Sequence, residues 1–157
     1  RTLILLSNLL GGPGMNSRLN LGIREKYGFT YTIESNYTTY FDTGVWSIYF
    51  GTEPQSVKKT IKLILKELKK LRTKKLGPVQ LKKAKQQLIG QLAIAQENNC
   101  NLMQSNAKSY QAFGKVASVE ETKKKIMAIT ADDLQEVAKE IFREEQLSTI
   151  IYEPKDL

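Results

Sequence analysis

GGPGMNSRLNLGIREKYGFTY, residues 11–31, decides how the rest of the chain is arranged. Its glycines stand where a backbone must turn tightly or where another segment must come close. The pattern predicts a glycine-rich turn, a short helix over residues 16–27 and a strand that begins after Gly28. Arg24 on the helix and Tyr31 on the strand then flank a helix-to-strand corner, which can aim both side chains at one point.

Hydrophobic periodicity predicts the elements outside this stretch. Apolar and polar residues alternate over 29–38 and 43–51, which predicts two strands paired as an antiparallel hairpin. Trp46, Ile48 and Phe50 share one face of the second strand and are assigned to the core. Apolar spacing and capping residues predict a helix over residues 2–10 and a lysine-rich helix from the capping sequence Thr52–Gln55 to Gly77. Another helix opens at Pro78 and continues, beyond a break at 98–101, as far as Gly114. Two short helices are capped at Ser118 and Thr130.

The order of these elements predicts an α+β fold, in which helices cover one face of a small antiparallel sheet. A closing third strand is predicted over Leu147–Tyr152 from its β-branched and aromatic residues. Residues 1–157 suffice for one domain with its own core. The chain begins at Arg1 inside an apolar helical pattern, so we expect a piece of a longer protein.

Residue counts exclude several kinds of site. The chain has no histidine, which removes the most common general base and zinc ligand and any Ser-His or Cys-His nucleophile. Cys100 is the only cysteine, so an internal disulfide is impossible. It fits a reducing compartment, which favours the cytoplasm, and we expect it to be a buried small hydrophobe. No apolar stretch is long enough to cross a bilayer, so no membrane partner is expected.

A family resemblance is carried by short runs within residues 9–52. These runs are Leu9-Leu10-Gly11-Gly12, Asn16-Ser17-Arg18-Leu19, Arg24-Glu25-Lys26-Tyr27-Gly28-Phe29-Thr30-Tyr31, Asp42-Thr43-Gly44 and Gly51-Thr52. The pattern resembles the start of the C-terminal half-domain of the pitrilysin-like zinc metallopeptidases, the inverzincins, which include insulysin and mitochondrial processing peptidase. The resemblance extends more weakly along nearly the whole chain.

This resemblance implies a half-domain of the LuxS/mitochondrial-processing-peptidase-like metallohydrolase fold, without the strands that open such half-domains. It implies that the catalytic zinc lies elsewhere, in an N-terminal domain or a partner subunit of the same fold, because the zinc motif His-x-x-Glu-His requires histidine. The two halves would close on an extended or unfolded peptide, within one chain or as a homodimer or heterodimer. Arg24 and Tyr31 match the family's arginine and tyrosine that contact the substrate backbone near the scissile bond.

The glycine loop with Gly11, Gly12 and Gly14 has three interpretations. A plain helix-terminating turn is favoured over a phosphate cradle, because the loop lacks a Gly-Lys-Ser/Thr ending and follows no clear strand. The resemblance implies a third interpretation, a loop that lines the peptide chamber and binds substrate. Without the resemblance, Arg24 and Tyr31 themselves would be interpreted as an ordinary surface arginine and an exposed strand tyrosine.

The formal net charge of +8 raises the question of a nucleic-acid partner. Most of the excess lies between Lys58 and Lys85, on positions opposite an apolar stripe. No aromatic residue occurs from Thr52 to Ser109, so nothing in that region could stack on bases. A solvated lysine face is therefore favoured, and no nucleic-acid partner is expected.

Three functional hypotheses result. The first is a substrate-binding, non-catalytic C-terminal domain of a zinc-dependent metalloendopeptidase, which holds no metal and is inactive alone. The second is a scaffold or silent partner subunit of a heterodimeric processing peptidase. The third, less favoured, is a basic nucleic-acid-binding domain.

Overall fold

The computed structural model describes residues 1–153 and has an α+β fold. Its helices and strands follow one another in the order predicted for the first 142 residues. The helices are α1 (Thr2–Gly11), α2 (Val57–Thr73), α3 (Pro78–Gln96), α4 (Asn99–Phe113), α5 (Val119–Ala128) and α6 (Ala131–Ile141). The strands are β1 (Thr30–Thr39) and β2 (Gly44–Thr52). A π-helical segment, Asn20–Glu25, lies between α1 and β1.

The predicted antiparallel hairpin is confirmed. Ile33 pairs with Phe50 and Tyr37 with Trp46 on the face of the sheet that the helices cover. On the other face, Glu34 pairs with Tyr49, and both side chains are exposed. The alternation of apolar and polar residues therefore matches a sheet that packs on one side only.

The core lies between this hairpin and three helices. Helix α1 is nearly apolar throughout and packs along β1, while α2 and α6 pack on each other. The rings of Trp46 and Phe142 lie 4.4 Å apart between centroids, which joins β2 to the end of α6. The fully or almost fully buried apolar residues of these elements are Leu5, Leu6, Leu10, Ile33, Leu68, Leu71, Leu134, Ala138 and Phe142.

Local capping signals set several helix boundaries. Ser118 and Thr130 form the predicted capping boxes with Glu121 and Asp133, and Pro78 occupies the first turn of α3. The box predicted at Thr52 is wrong. The Thr52 hydroxyl instead donates to the carbonyl of Phe29, because Thr52 still belongs to β2.

Two further predictions are wrong. Leu147–Tyr152 forms no strand, because it meets no hydrogen-bonding strand within the described residues, and a strand requires a neighbour to satisfy its backbone. Cys100 is exposed and not buried. It lies on α4, a helix that packs against α3 and contributes no buried residue to the core.

Candidate functional site

Arg24 lies in the π-helical segment Asn20–Glu25. Leu19, Asn20 and Ile23 are all buried, and the Asn20 amide donates to the Ser17 hydroxyl at 2.8 Å. These inward-facing residues fix the segment against the core and leave Arg24 exposed. A π-helical turn is rare and is often found at functional sites.

Tyr31 lies on a β-bulge. Thr30 pairs with Thr52 and Thr32 pairs with Gly51, so Tyr31 is the extra residue between two ladder positions. Its side chain is 64% exposed, and its hydroxyl donates to the carboxylate of Glu53. A bulge redirects a side chain at the position where it interrupts the ladder, and bulges are over-represented next to active sites.

Gly28 forms the corner between these two irregularities. Its φ of +64° lies in the left-handed region, where a residue with a side chain is strained. Arg24 lies before this turn and Tyr31 after it. No hydrogen bond joins the two side chains in the described structure, and their convergence on a single point stays a prediction.

The glycine loop is divided between packing and exposure. Gly11 and Gly12 are buried, whereas Pro13 and Met15 are exposed. A Cβ on Gly12 would lie 2.6 Å from the carbonyl oxygen of Asn8, so packing accounts for this glycine without any ligand. That the loop contacts a peptide remains untested.

Gly14 is half-buried and faces side chains, not backbone. A Cβ on Gly14 would lie 2.5 Å from both the Asn16 carboxamide oxygen and the Gln87 amide nitrogen. Asn16 donates to Gln87 at 3.2 Å, so the exposed part of the loop rests on α3. Both contacts are with the ends of flexible side chains, which leaves Gly14 the most adaptable of the three glycines.

A contact between α1 and α3 was not predicted. The Asn8 side chain donates to the Gln91 carboxamide oxygen at 2.5 Å. Together with Asn16 and Gln87 it forms a row of amides beside the glycine loop. The partners are 83 and 71 residues apart, so no local sequence pattern could have paired them.

The lysine face of α2 is exposed as predicted. Its exposed members are Lys58, Lys59, Lys62, Lys66, Lys69 and Lys70. Lys85 on α3 does not belong to that solvated surface. It is buried, and its Nζ donates to the carbonyl of Met127 at 2.8 Å, near the C-terminal end of α5.

Glu67 is the acidic residue that interrupts this basic face. Arg18 contacts one of its carboxylate oxygens at 2.5 Å and Lys70 contacts the other at 2.8 Å. Burial alone would raise the pKa of Glu67, but the hydrogen bond from Lys70 and the charge of Arg18 outweigh it and hold the pKa below its ordinary value. Arg18 of the Ser17-Arg18-Leu19 run thus ties the short helix to α2.

The described part of the chain contains no cluster of three or more histidine, cysteine, aspartate or glutamate residues that could hold a metal ion. Among the same residues, no helix has both the length and the hydropathy of a membrane span.

Residues 1–88, more than half of the chain, match the family model described as the peptidase M16 inactive domain. The chain belongs to this family. The resemblance found in the sequence is thereby confirmed, since the inactive domain is a component of zinc peptidases of this class.

The relatives of this inactive domain are longer proteins. It is 39% identical over 153 residues to an uncharacterised zinc protease of Rickettsia felis, a match covering 98% of the chain and 36% of that protein. It is 28% identical over 99 residues to the beta subunit of the mitochondrial-processing peptidase of Saccharomyces cerevisiae, covering 62% of the chain and 21% of the subunit. The chain therefore spans about a third or less of the curated relatives named here.

A solved structure supports the fold of the inactive domain. The crystal structure of a protease from Helicobacter pylori matches it with a TM-score of 0.81 at 23% identity, over 92% of the chain and 35% of that protease. The α+β architecture, with helices on one face of a small antiparallel sheet, is thus shared with this protein.

Proposed function

We propose that this chain is the substrate-binding, non-catalytic domain of a zinc-dependent metalloendopeptidase that cleaves extended or unfolded peptides. Arg24 and Tyr31 act on the peptide, while the zinc and the residues that activate water belong to another domain of the longer protein. The zinc protease names of its relatives support the metal and the reaction class.

One observation carries this proposal. Arg24 and Tyr31 each sit on a backbone irregularity, a π-helical turn and a β-bulge, on the two sides of the Gly28 corner. Both side chains are exposed, although the residues next to them, Ile23 and Thr30, are buried. Such irregularities cost regular hydrogen bonding, and their coincidence with the two residues singled out from the sequence supports a functional reason for them.

The chemistry of the two groups suits a peptide carbonyl. The guanidinium of Arg24 and the hydroxyl of Tyr31 are hydrogen-bond donors, and a carbonyl oxygen gains negative charge when water attacks the carbon. Donors held beside the carbonyl stabilise that charge in the transition state. The Tyr31 hydroxyl must first release the Glu53 carboxylate, to which it donates in this structure. The chain lacks histidine, and its described carboxylates form no cluster that could hold a metal ion.

The experiment is peptide cleavage by the full-length parent protein with saturating zinc. Arg24→Ala and Tyr31→Phe should each lower kcat about a hundredfold, with unchanged thermal unfolding. Arg143→Ala and Tyr110→Phe are matched controls, because both residues are exposed and lie on other parts of the domain. Near-normal turnover in both site variants would contradict the proposal.

A second function is favoured by the likeness to a processing-peptidase subunit. In this alternative the parent is a scaffold or silent subunit whose zinc-bearing partner is a separate chain of the same fold. The parent alone would then cleave nothing even with zinc. Addition of the zinc-bearing partner would restore cleavage, and the Arg24 and Tyr31 variants would show their effect only in that mixture.

A further inference from the structure

Glu53 lies directly beside Tyr31, although the two residues are 22 positions apart in the chain. Thr52, the last residue of β2, pairs with Thr30, so Glu53 comes immediately after the end of the ladder. From its position on the bulge, the Tyr31 hydroxyl donates to a carboxylate oxygen of Glu53. The end of the hairpin therefore carries one hydrogen-bond donor and one acceptor that contact each other.

The backbone of Glu53 is fixed on both sides, although the residue is exposed. Before it, the Thr52 hydroxyl donates to the carbonyl of Phe29 and holds the strand end in place. After it, Pro54 restricts the preceding residue to extended conformations, and Glu53 has a φ of −65° and a ψ of 144°. The Ser56 amide also donates to the Glu53 carbonyl oxygen at 2.9 Å. The carboxylate therefore extends from a well-defined point beside Tyr31.

The Glu53 carboxylate takes part in no ion pair among residues 1–153. This is so although the sequence contains 24 lysine and arginine residues. An ionised carboxylate has about four lone-pair positions, and the Tyr31 hydroxyl occupies one of them. Glu53 therefore keeps acceptor capacity that its contact with Tyr31 does not use.

An extended peptide presents the complementary pair of groups. A residue in a strand points its N–H and its C=O to the same edge, and in an antiparallel ladder the opposite residue exchanges both hydrogen bonds with it. The Tyr31 hydroxyl can donate to such a C=O, and the Glu53 carboxylate can accept from the N–H of the same residue. Because the two side chains lie within one hydrogen bond of each other, their spacing suits these adjacent peptide groups.

We propose that Glu53 is a second binding residue for the substrate backbone. This role rests on the proposed function, in which Tyr31 contacts the peptide carbonyl. When the peptide binds, the Tyr31 hydroxyl turns from Glu53 to that carbonyl, and the carboxylate accepts the N–H of the same peptide residue. One hydrogen bond within the chain is thereby replaced by two to the peptide. The one to the carboxylate is charge-assisted and so stronger than a bond between neutral groups.

This contact selects against proline at one position of the substrate, because proline has no N–H. The parent protein is given a mixture of denatured proteins, and its cleavage sites are mapped by mass spectrometry. Proline should be about tenfold depleted at one fixed position relative to the scissile bond. Glu53→Ala should reduce that depletion, since the variant has no carboxylate that requires the N–H.

Peptide binding to the full-length parent protein in the presence of a zinc chelator tests the contact without cleavage. The probe is a fluorescein-labelled ten-residue peptide of alternating alanine and threonine, and fluorescence anisotropy gives its dissociation constant. Glu53→Ala should weaken binding about tenfold, because a charge-assisted hydrogen bond is lost. Glu53→Gln keeps an acceptor oxygen and should lose less. Glu34→Ala is the matched control, since Glu34 is an exposed glutamate of the same hairpin and lies opposite Tyr49.

Tyr31→Phe separates a direct role of Glu53 from an indirect one. If Glu53 binds the peptide N–H itself, Glu53→Ala should weaken binding about tenfold in the Tyr31→Phe protein as well. If Glu53 only holds the Tyr31 side chain in place, the additional substitution should change nothing in that protein. The two roles therefore predict different double-mutant cycles.

Three results would overturn the inference. The first is unchanged affinity in Glu53→Ala, and the second is an effect of Glu53→Ala that vanishes in the Tyr31→Phe protein. The third is tighter binding by Glu53→Ala, which would make Glu53 only a competitor for the Tyr31 hydroxyl. The turnover of Arg24→Ala and Tyr31→Phe judges the proposed function separately. Reduced turnover in those two variants, together with unchanged affinity in Glu53→Ala, would remove the role of Glu53 and leave the proposed function standing.

Discussion

Helix α1 and strand β1 meet at Gly11 and Ser35, where no room is left for a side chain on Gly11. A Cβ on Gly11 would lie 2.4 Å from the backbone nitrogen of Ser35. The hydroxyl of Ser35 also lies 2.9 Å from the Ser7 hydroxyl and accepts a hydrogen bond from the Trp46 indole at 2.9 Å. Helix α1 and both strands are therefore joined around one serine, which only glycine at position 11 allows.

Gly11→Ala should destabilise the fold by about 1–3 kcal/mol, because the methyl group must push α1 away from the backbone of β1. Urea unfolding measures the change in free energy. Gly90→Ala is the matched control, since a Cβ there meets nothing within 4 Å. Because Gly90 lies within helix α3, its replacement by alanine should stabilise the fold by about 0.5–1 kcal/mol. Equal unfolding midpoints for the Gly11 variant and the unchanged chain would contradict this packing role.

Gly28→Ala should also destabilise the fold, but for a different reason. A Cβ at Gly28 meets no atom within 4 Å, so the cost comes from the positive φ alone, about 1–2 kcal/mol. Gly28→Asn should cost less, because asparagine tolerates the left-handed region better. Gly22→Ala, equally free of contacts but without a positive φ, is the control. Thermal unfolding that ranks asparagine below alanine in stability would refute the explanation.

Elements with local boundary signals could be predicted from the sequence. Helix α1 ends at Gly11, α3 begins at Pro78, and the Ser118 and Thr130 boxes start α5 and α6. These signals act within one turn of helix. The predicted strand at Leu147–Tyr152 failed because its pattern is local, whereas a strand exists only when a second segment lies beside it.

The candidate site shows the same limit. The residue types and the spacing of Arg24 and Tyr31 could be taken from the sequence, but the backbone irregularities on which they lie could not. The bulge at Tyr31 depends on the register between β1 and β2, a relation between two segments. The exposure of Cys100 likewise depends on where α4 packs, which its own periodicity does not determine.

Lys85→Met should destabilise the fold although it replaces a charged residue by an apolar one. The ammonium of Lys85 satisfies the carbonyl of Met127, which lies in the last turn of α5 and has no partner within the helix. Loss of a hydrogen bond from a charged donor costs about 1.5–3 kcal/mol. Urea unfolding is the measurement. Lys82→Met, at an exposed position of the same helix, should change stability by no more than about 0.5 kcal/mol. Equal changes in the free energy of unfolding for the two variants would show that the hydrogen bond of Lys85 does not stabilise the fold.

The Glu67 carboxylate should make stability depend on acid pH. Its pKa in the folded chain lies below the ordinary value of 4.5, so the unfolded chain binds more protons between the two values. The stabilisation by Glu67 is therefore complete above about pH 4.5 and is lost as the pH falls through the pKa of the folded chain.

Glu67→Gln should lower the free energy of unfolding by about 1–2 kcal/mol at pH 7, because Arg18 and Lys70 lose their charged partner. This loss should become progressively smaller as the pH approaches 3. Urea unfolding from pH 3 to pH 7 measures this difference. Glu140→Gln, at an exposed position of α6, should show no such trend. A difference between Glu67→Gln and the unchanged chain that is independent of pH would contradict the assignment.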